Sequence, residues 1–535
     1  MKKLPIGISE FTELREKKCI YVDKTKYVYD LLNDYCRSFL SRPRRFGKSL
    51  LLSTLEAALQ GKKELFEGLW ISGSDYDWKP VGVIRFDFSE LSIKSSEDFE
   101  QSLRVVMQRI AIQYGITLNS DLNVNATLGV LIDSLCNEAS KKLFDSVAIL
   151  IDEYDHPILH TLHDPKLAKA IRDIMKSFSS VIKAQADFVK FVFVTGVSAF
   201  SKSGLSSGLN NLDNLTMDEK FFDVCGYTDE EVDRYFKEHI QHWADFRQIS
   251  YKEIRGQLKE WYNGYCFAEE TATIYSPFSL TCALKKTKLQ NFWFQSATPQ
   301  FLLDELSKQE RQEECKFLNV EEFLGSMDLL QTFEIECIPL TALLFQTGYL
   351  TIAGYDSESR IYQLKYPNLE VKTAMHRHLL IALTKIAYSP FDTLIGKLFA
   401  ALRGEDMEQL MECFTSLFSN IPYQIHQKAE KFYHAVLQAF FVAANIKSYA
   451  EYSTSQGRAD IILDMPSIIY ILELKVNKTA EEALKQIEDQ KYYEPFMHQG
   501  KPIRAVGISF ARKGASKKEK SHFSITSVTR KIVDL

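Results

Sequence analysis

The stretch Ser41-Arg42-Pro43-Arg44-Arg45-Phe46-Gly47-Lys48-Ser49 decides how this 535-residue chain is read. It follows the short strand-like run Arg37-Ser38-Phe39-Leu40-Ser41 and leads into a helical pattern that continues to Leu59, so the order is strand, loop, helix. At such a junction the first backbone N–H groups of the helix face an anion. Lys48 would then reach terminal phosphates, and the Ser49 hydroxyl would hold Mg²⁺. The usual spacing G-x-x-x-x-G-K-[ST] asks for glycine at position 42, where this chain has Arg42. A solvated turn capped by Lys48 would also account for Gly-Lys-Ser taken alone.

A second segment narrows the choice. Ser146-Val147-Ala148-Ile149-Leu150-Ile151-Asp152-Glu153 reads as a buried strand ending in two carboxylates. Asp152 would orient the magnesium shell and Glu153 would polarise the attacking water. Thr195 or Ser198, at the end of the run Val189–Thr195, would sit beside the γ-phosphate as a sensor. Arg44 and Arg45 would neutralise phosphate charge, in cis or across a subunit interface.

Further strands are expected at about 81–88 and 221–225. Strands alternating with helical patterns predict a mostly parallel, helix-covered sheet. Thr228-Asp229-Glu230-Glu231 has capping-box form and should start a helix. From there to about residue 370 the pattern is mainly helical and aromatic, as in a lid or middle domain. The boundaries expected are 1–227, 228–375 and 376–535.

The last hundred residues carry another constellation. Gly457-Arg458-Ala459-Asp460-Ile461-Ile462-Leu463-Asp464 and Ile468–Val476 read as two strands turning at Pro466-Ser467. Pairing 464 with 469 continues to 460 with 473, and alternation puts Glu473 and Lys475 on one face. Asp460 and Glu473 would ligate Mg²⁺ or Mn²⁺ while Lys475 orients or deprotonates the attacking water. A core salt bridge between Lys475 and one carboxylate is the plainer alternative. Glu430, on a preceding helix, would complete the metal shell, with His434 four residues on as a surface or packing residue. Gln486, Gln490 and Tyr493 recur at helical spacing and would contact a phosphate backbone, or simply form a solvated face.

Charge and composition set the limits. The chain has 65 Lys and Arg against 70 Asp and Glu, a net charge of −5, so any contact with a polyanion must be local. Residues 430–535 hold 16 basic and 12 acidic residues, a net +4 that leaves −9 for the rest. Arg512, Lys513, Lys517, Lys518 and Lys520 are the densest part of that excess. Nine scattered cysteines without a CxxC pair suit a reducing cytosol and no structural zinc. No run of about 18 uncharged apolar residues occurs, so a cytoplasmic protein with no membrane span is expected.

These residues carry a resemblance. Leu4-Pro5-Ile6-Gly7-Ile8, Tyr21-Val22-Asp23-Lys24-Thr25, Arg42–Ser49, Ile151-Asp152-Glu153-Tyr154-Asp155, Trp261-Tyr262-Asn263-Gly264-Tyr265, Tyr275-Ser276-Pro277-Phe278-Ser279, Gly457–Asp460 and Glu473-Leu474-Lys475 span essentially the whole chain. The chain resembles a bacterial family that joins an AAA-ATPase-like domain to a carboxy-terminal PD-(D/E)xK nuclease-superfamily domain, and Arg42 looks like a habit of that family. The resemblance implies an α/β fold: a P-loop NTPase parallel sheet, a helical middle or lid domain and a nuclease-like α/β domain. It implies ATP and magnesium in the first domain, where residues 44–49, Asp152 and Thr195 are the binding residues expected from the sequence and Glu153 the catalytic one. It also implies a divalent-metal centre at Asp460, Glu473 and Lys475, with Glu430 a further ligand. The expected partner is nucleic acid, DNA first, bound through the carboxy-terminal domain, with homo-oligomerisation open and defence or mobile-element biology a natural setting. The alternative is a nucleotide-dependent switch or scaffold whose nuclease-like domain binds without cutting.

Overall fold

The computed structural model describes residues 1–136, 143–198, 212–297, 323–327, 330, 339–421, 430–454, 456–512 and 523–533. The described residues divide into two units, those up to Leu369 and those from Glu370 onward.

In the first unit, β1 (Arg37–Ser41), β2 (Gly82–Asp87), β3 (Val147–Asp152), β4 (Val189–Gly196) and β5 (Asp213–Asn214) form one sheet in the order β2-β3-β4-β1-β5. Every pairing in it is parallel. All six residues of β3 are buried, as a strand with both faces covered requires, which is why its sequence is a continuous apolar run. β4 lies between β1 and β3, so the strand feeding the glycine turn and the strand ending in Asp152 flank the end of β4 that carries Thr195.

The expected strand at 221–225 does not form. Glu219–Phe221 is a 3₁₀ turn, and Asp223 accepts hydrogen bonds from Lys24 Nζ at 3.1 Å and from the Tyr27 hydroxyl. A local apolar run is overridden here by side-chain partners about 200 residues away. The fifth strand is the two-residue β5 instead.

Thr228 does start a helix, Asp229–Tyr235, through a complete capping box. Glu231 N donates to Thr228 Oγ1 at 3.2 Å, and Thr228 N donates to Glu231 Oε2 at 2.9 Å. Thr228→Ala is expected to cost about 1 kcal/mol, read as a lower urea midpoint. The region beyond packs its helices around Trp243, Leu258, Tyr262 and Leu280. It is not only helical: β6 (Leu324–Ser326), β7 (Thr351–Asp356) and β8 (Ile361–Lys365) make a small antiparallel sheet.

In the second unit, β9 (Ser448–Thr454), β10 (Gly457–Asp464), β11 (Ile469–Val476), β12 (Ile503–Arg512) and β13 (Phe523–Val533) form a mixed sheet in the order β13-β12-β11-β10-β9. β11 and β12 are parallel, joined across the helix Ala480–Asp489, and the other neighbours are antiparallel. The helix packs so closely on β12 that a Cβ on Gly507 would stand 2.1 Å from Ala480 O. It ends at Asp489, short of the expected Tyr493. Lys513, Lys517, Lys518 and Lys520 of the basic cluster lie outside the described residues. No single helix among the described residues is long and apolar enough to cross a membrane. Leu369–Thr384 and Tyr388–Gly404 reach that length only as a pair bent by 113°.

Candidate functional site

The loop after β1 is pinned residue by residue. Arg42, 1% exposed, turns inward: Nη1 donates to Ser41 O at 2.9 Å and Thr216 O at 2.7 Å, and Nη2 to Phe221 O at 2.9 Å. Its guanidinium lies 4.4 Å over the Phe267 ring, and burial draws its pKa down to about 10. Arg42 therefore replaces the first glycine as a structural peg.

The neighbouring residues are anchored in the same way. The Phe46 ring, also 1% exposed, packs edge-on against Tyr265 and Phe267. Trp293 Nε1 donates to Arg44 O at 2.8 Å, and the Arg45 guanidinium lies 5.3 Å over Phe278. Gly47 has φ +99°, with open space where a Cβ would be. It is the backbone conformation that asks for glycine there.

Gly47 leads into the helix Lys48–Leu59. Lys48, 3% exposed, brings Nζ to 3.5 Å from Glu153 Oε1 and 3.4 Å from Pro43 O. Burial, against a hydrogen bond from Ser49, raises the Asp152 carboxyl to about 6. Glu153 stands in the left-handed region at φ +49°. Burial pushes its carboxyl up, but the Lys48 and Arg44 charges outweigh it and hold the group below its ordinary value.

Asp155 is fully buried and accepts from Ser198 N at 2.7 Å and Val197 N at 3.2 Å, as well as from the Ser198 hydroxyl. Ser198 is thus engaged by Asp155. The Thr195 hydroxyl, fully buried, has no hydrogen-bond partner among the described residues.

A cavity of about 460 Å³ opens over this loop. Lys48, Ser49, Glu153, Arg44 and Arg45 line it together with Ile8, Val22, Tyr227, Pro277 and Phe278. Asp152 and Thr195 are buried and do not line it.

In the other unit the β10–β11 ladder runs from Asp464 opposite Ile469 to Ile461 opposite Leu472. One residue further, side chains take over: Leu474 N donates to Asp460 Oδ2 at 2.8 Å, and Asp460 N to Glu473 Oε2 at 3.4 Å. Both carboxylates therefore fill the gap where the strands part. Lys475 Nζ lies 3.0 Å from Glu473 Oε1 and 3.5 Å from Glu430 Oε1, and Glu430 opens the helix Glu430–Ala443. One turn on, His434 Nε2 is 2.7 Å from Asp460 O. A carbonyl only accepts, so the ring carries its proton on Nε2.

Glu473 is 1% exposed. Burial first, then Asp460, raises its carboxyl to about 7 despite Lys475. Burial raises Asp460 too, while the surrounding carboxylates hold Lys475 protonated against its own burial. Excess buried negative charge of this kind suits a hard cation. No group of three or more His, Cys, Asp or Glu side chains among the described residues is spaced as a metal cage. A cation here would take Asp460 and Glu473 as protein ligands and complete its shell with water and phosphate oxygens, the usual habit of Mg²⁺.

Residues 5–206 match the family described as a predicted AAA-ATPase, and residues 428–520 match the PD-(D/E)XK nuclease superfamily. A protein of Azotobacter chroococcum mcd 1, named "Uncharacterized protein in vnfD 5'region", is 35% identical over 531 residues, covering 96% of this chain and 98% of the relative. The chain belongs to this family of AAA-ATPase-like proteins with a carboxy-terminal PD-(D/E)XK nuclease-superfamily domain. The first match contains Arg44 to Ser49, Asp152, Glu153 and Thr195, and the second contains Glu430, Asp460, Glu473 and Lys475.

Some residues in and around these domains are not among the site residues expected from the sequence, and others take partners it does not disclose. In the AAA-ATPase-like domain Lys24, Asp87, His156 and His160 also line the cavity. Lys24 is held there by Glu231 at 2.6 Å and Asp223 at 3.1 Å. The His156-x-x-x-His160 spacing, three residues after Glu153, was the available signal. In the nuclease-superfamily domain His434 proves to be a partner of the Asp460 backbone. Gln486 Nε2 donates to the Tyr492 hydroxyl at 3.2 Å, and Gln490 and Tyr492 both crowd Gly457.

Proposed function

We propose that the AAA-ATPase-like domain binds and hydrolyses ATP, and that the nuclease-superfamily domain cleaves nucleic acid phosphodiesters with a divalent metal. The observation that carries this reading is the convergence of Asp460, Glu473, Lys475 and Glu430 where β10 and β11 part. A cation on Asp460 and Glu473 would supply charge neutralisation at the scissile phosphate. The Lys475 ammonium, steered by Glu473 and Glu430, would orient the attacking water. His434, by fixing the Asp460 carbonyl, would hold that carboxylate in place.

In the first domain Ser49 would hold Mg²⁺ with Asp152 orienting the shell from behind it, Lys48 and Arg44 would face the phosphates, and Glu153 would polarise the attacking water. Two phosphate-chemistry sites on one chain motivate the further reading that nucleotide state controls cleavage. The Lys475–Glu473 pair is also what a non-cleaving, nucleotide-switched binding domain would contain.

Purified protein incubated with labelled single- and double-stranded DNA, Mg²⁺ or Mn²⁺, and ATP separates the two readings. Cleavage that Asp460→Ala removes supports the nuclease. No cleavage in any combination, or cleavage undiminished in Asp460→Ala, overturns it. Lys48→Ala deletes a charged phosphate contact and is expected to weaken ATP binding about tenfold to a hundredfold, measured by titration calorimetry.

A further inference from the structure

Two imidazoles stand in the nucleotide cavity with no role assigned so far. His156 and His160 lie one turn apart on the helix His156–Thr161, with ring centroids 4.1 Å apart and planes at 40°. Both line the cavity alongside Lys48 and Glu153. His156 Nδ1 is closed to solvent and has no hydrogen-bond partner among the described residues, which leaves Nε2 as the nitrogen this cavity-lining ring can offer to a ligand.

The helix carrying them is rigidly placed. His156 N donates to Glu153 O at 3.0 Å, Asp155 is tied to the end of β4, and Pro157 occupies the first turn. The pair therefore sits beside the Lys48–Glu153 end of the cavity. That is the phosphate end, since Ile8, Val22, Tyr227, Pro277 and Phe278 supply an apolar wall suited to a base.

The groups facing His156 are His160 on its own helix, Glu153 on the loop after β3, Arg44 on the loop after β1 and Asp87 at the end of β2. Burial, then His160 and Arg44, outweigh the two carboxylates and keep the ring neutral at physiological pH, with its pKa drawn down to about 4. A neutral ring can stand beside Lys48 and Arg44 without repelling them, and in its Nε2–H tautomer it still has a proton to donate to an anion.

We propose that His156, backed by His160, contacts the terminal phosphate of the bound nucleotide and thereby distinguishes nucleoside triphosphate from diphosphate. This rests on reading the cavity as a nucleoside triphosphate site, and the experiment keeps the two apart. The full chain is titrated calorimetrically with ADP and with the β,γ-imido analogue of ATP, in Mg²⁺, for the parent, His156→Gln and His160→Gln.

His156→Gln is expected to bind the imido analogue about tenfold more weakly while its ADP affinity stays within about twofold, the loss of one hydrogen bond to a charged group. Unchanged ADP binding also shows that the variant is folded. His160→Gln, which alters only the backing ring, should show a smaller loss confined to the triphosphate. Equal weakening of both nucleotides, or no change in either, overturns the proposal while the parent's binding preserves the nucleotide site. A parent that binds neither nucleotide overturns both.

Discussion

Arg42→Gly, which restores the usual first residue of a phosphate-binding loop, is expected to destabilise the protein by about 3–5 kcal/mol rather than improve it. The carbonyls of Ser41 and Thr216 would lose their Arg42 donor in a region closed to solvent, and Phe221 O would be left with Val224 N alone at 3.3 Å. Each unsatisfied buried group costs about 1–3 kcal/mol, and the emptied guanidinium volume against Phe267 adds a cavity. Removing a buried charge returns part of this, since burial already draws the Arg42 pKa down to about 10, which is why the expected sum stays below the simple total. Lysine should not rescue the loss, because a point charge cannot reach the carbonyls of Ser41, Thr216 and Phe221 at once as the guanidinium fork does. The measurement is urea unfolding of parent, Arg42→Gly and Arg42→Lys. A glycine variant as stable as the parent would show that the three hydrogen bonds contribute nothing.

What the sequence disclosed depended on how local the cause was. β3 and β4 were readable because strands covered on both faces are apolar along most of their length, so Val147–Asp152 and Val189–Gly196, with only Lys190 exposed, announce themselves. The Asp460 and Glu473 pairing was readable because two-residue periodicity and the turn at Pro466-Ser467 fix the register, and the observed ladder starts at Asp464 opposite Ile469. Position 42 was opaque for the opposite reason. Its partners Thr216 and Phe221 lie 174 and 179 residues away, and no window of sequence contains them. The same holds at 221–225, where Lys24 and Tyr27 claim Asp223. β5 is two polar residues long, so it exists only as an edge laid along β1. β13 lies along β12, and only that antiparallel pairing tells it apart from a polar tail.

In Glu473→Gln, divalent-metal stabilisation is expected to disappear and any cleavage to fall about a hundredfold to a thousandfold, the scale of losing one preorganised electrostatic group at a reacting phosphate. The pH dependence gives this a sign. Glu473 is raised to about 7 by burial and by Asp460, so in the folded protein its charged form is disfavoured. Its contribution to stability is full below the ordinary carboxylate range and is lost as pH rises through about 7. In chelator, the parent should therefore match Glu473→Gln near pH 5 and become the less stable of the two by pH 8, because glutamine never ionises. The glutamine carbonyl can still accept from Asp460 N, and Lys475 keeps Glu430 at 3.5 Å, so the comparison isolates the charge. Adding Mn²⁺ or Mg²⁺ reverses the order. A cation binds the ionised carboxylates, so the metal-induced rise in melting temperature should grow from pH 5.5 to pH 8 in the parent and stay near zero in the variant. A rise of equal size in Glu473→Gln, or one indifferent to pH in the parent, would remove Glu473 from the metal site and leave the Lys475 ion pair as a structural bridge.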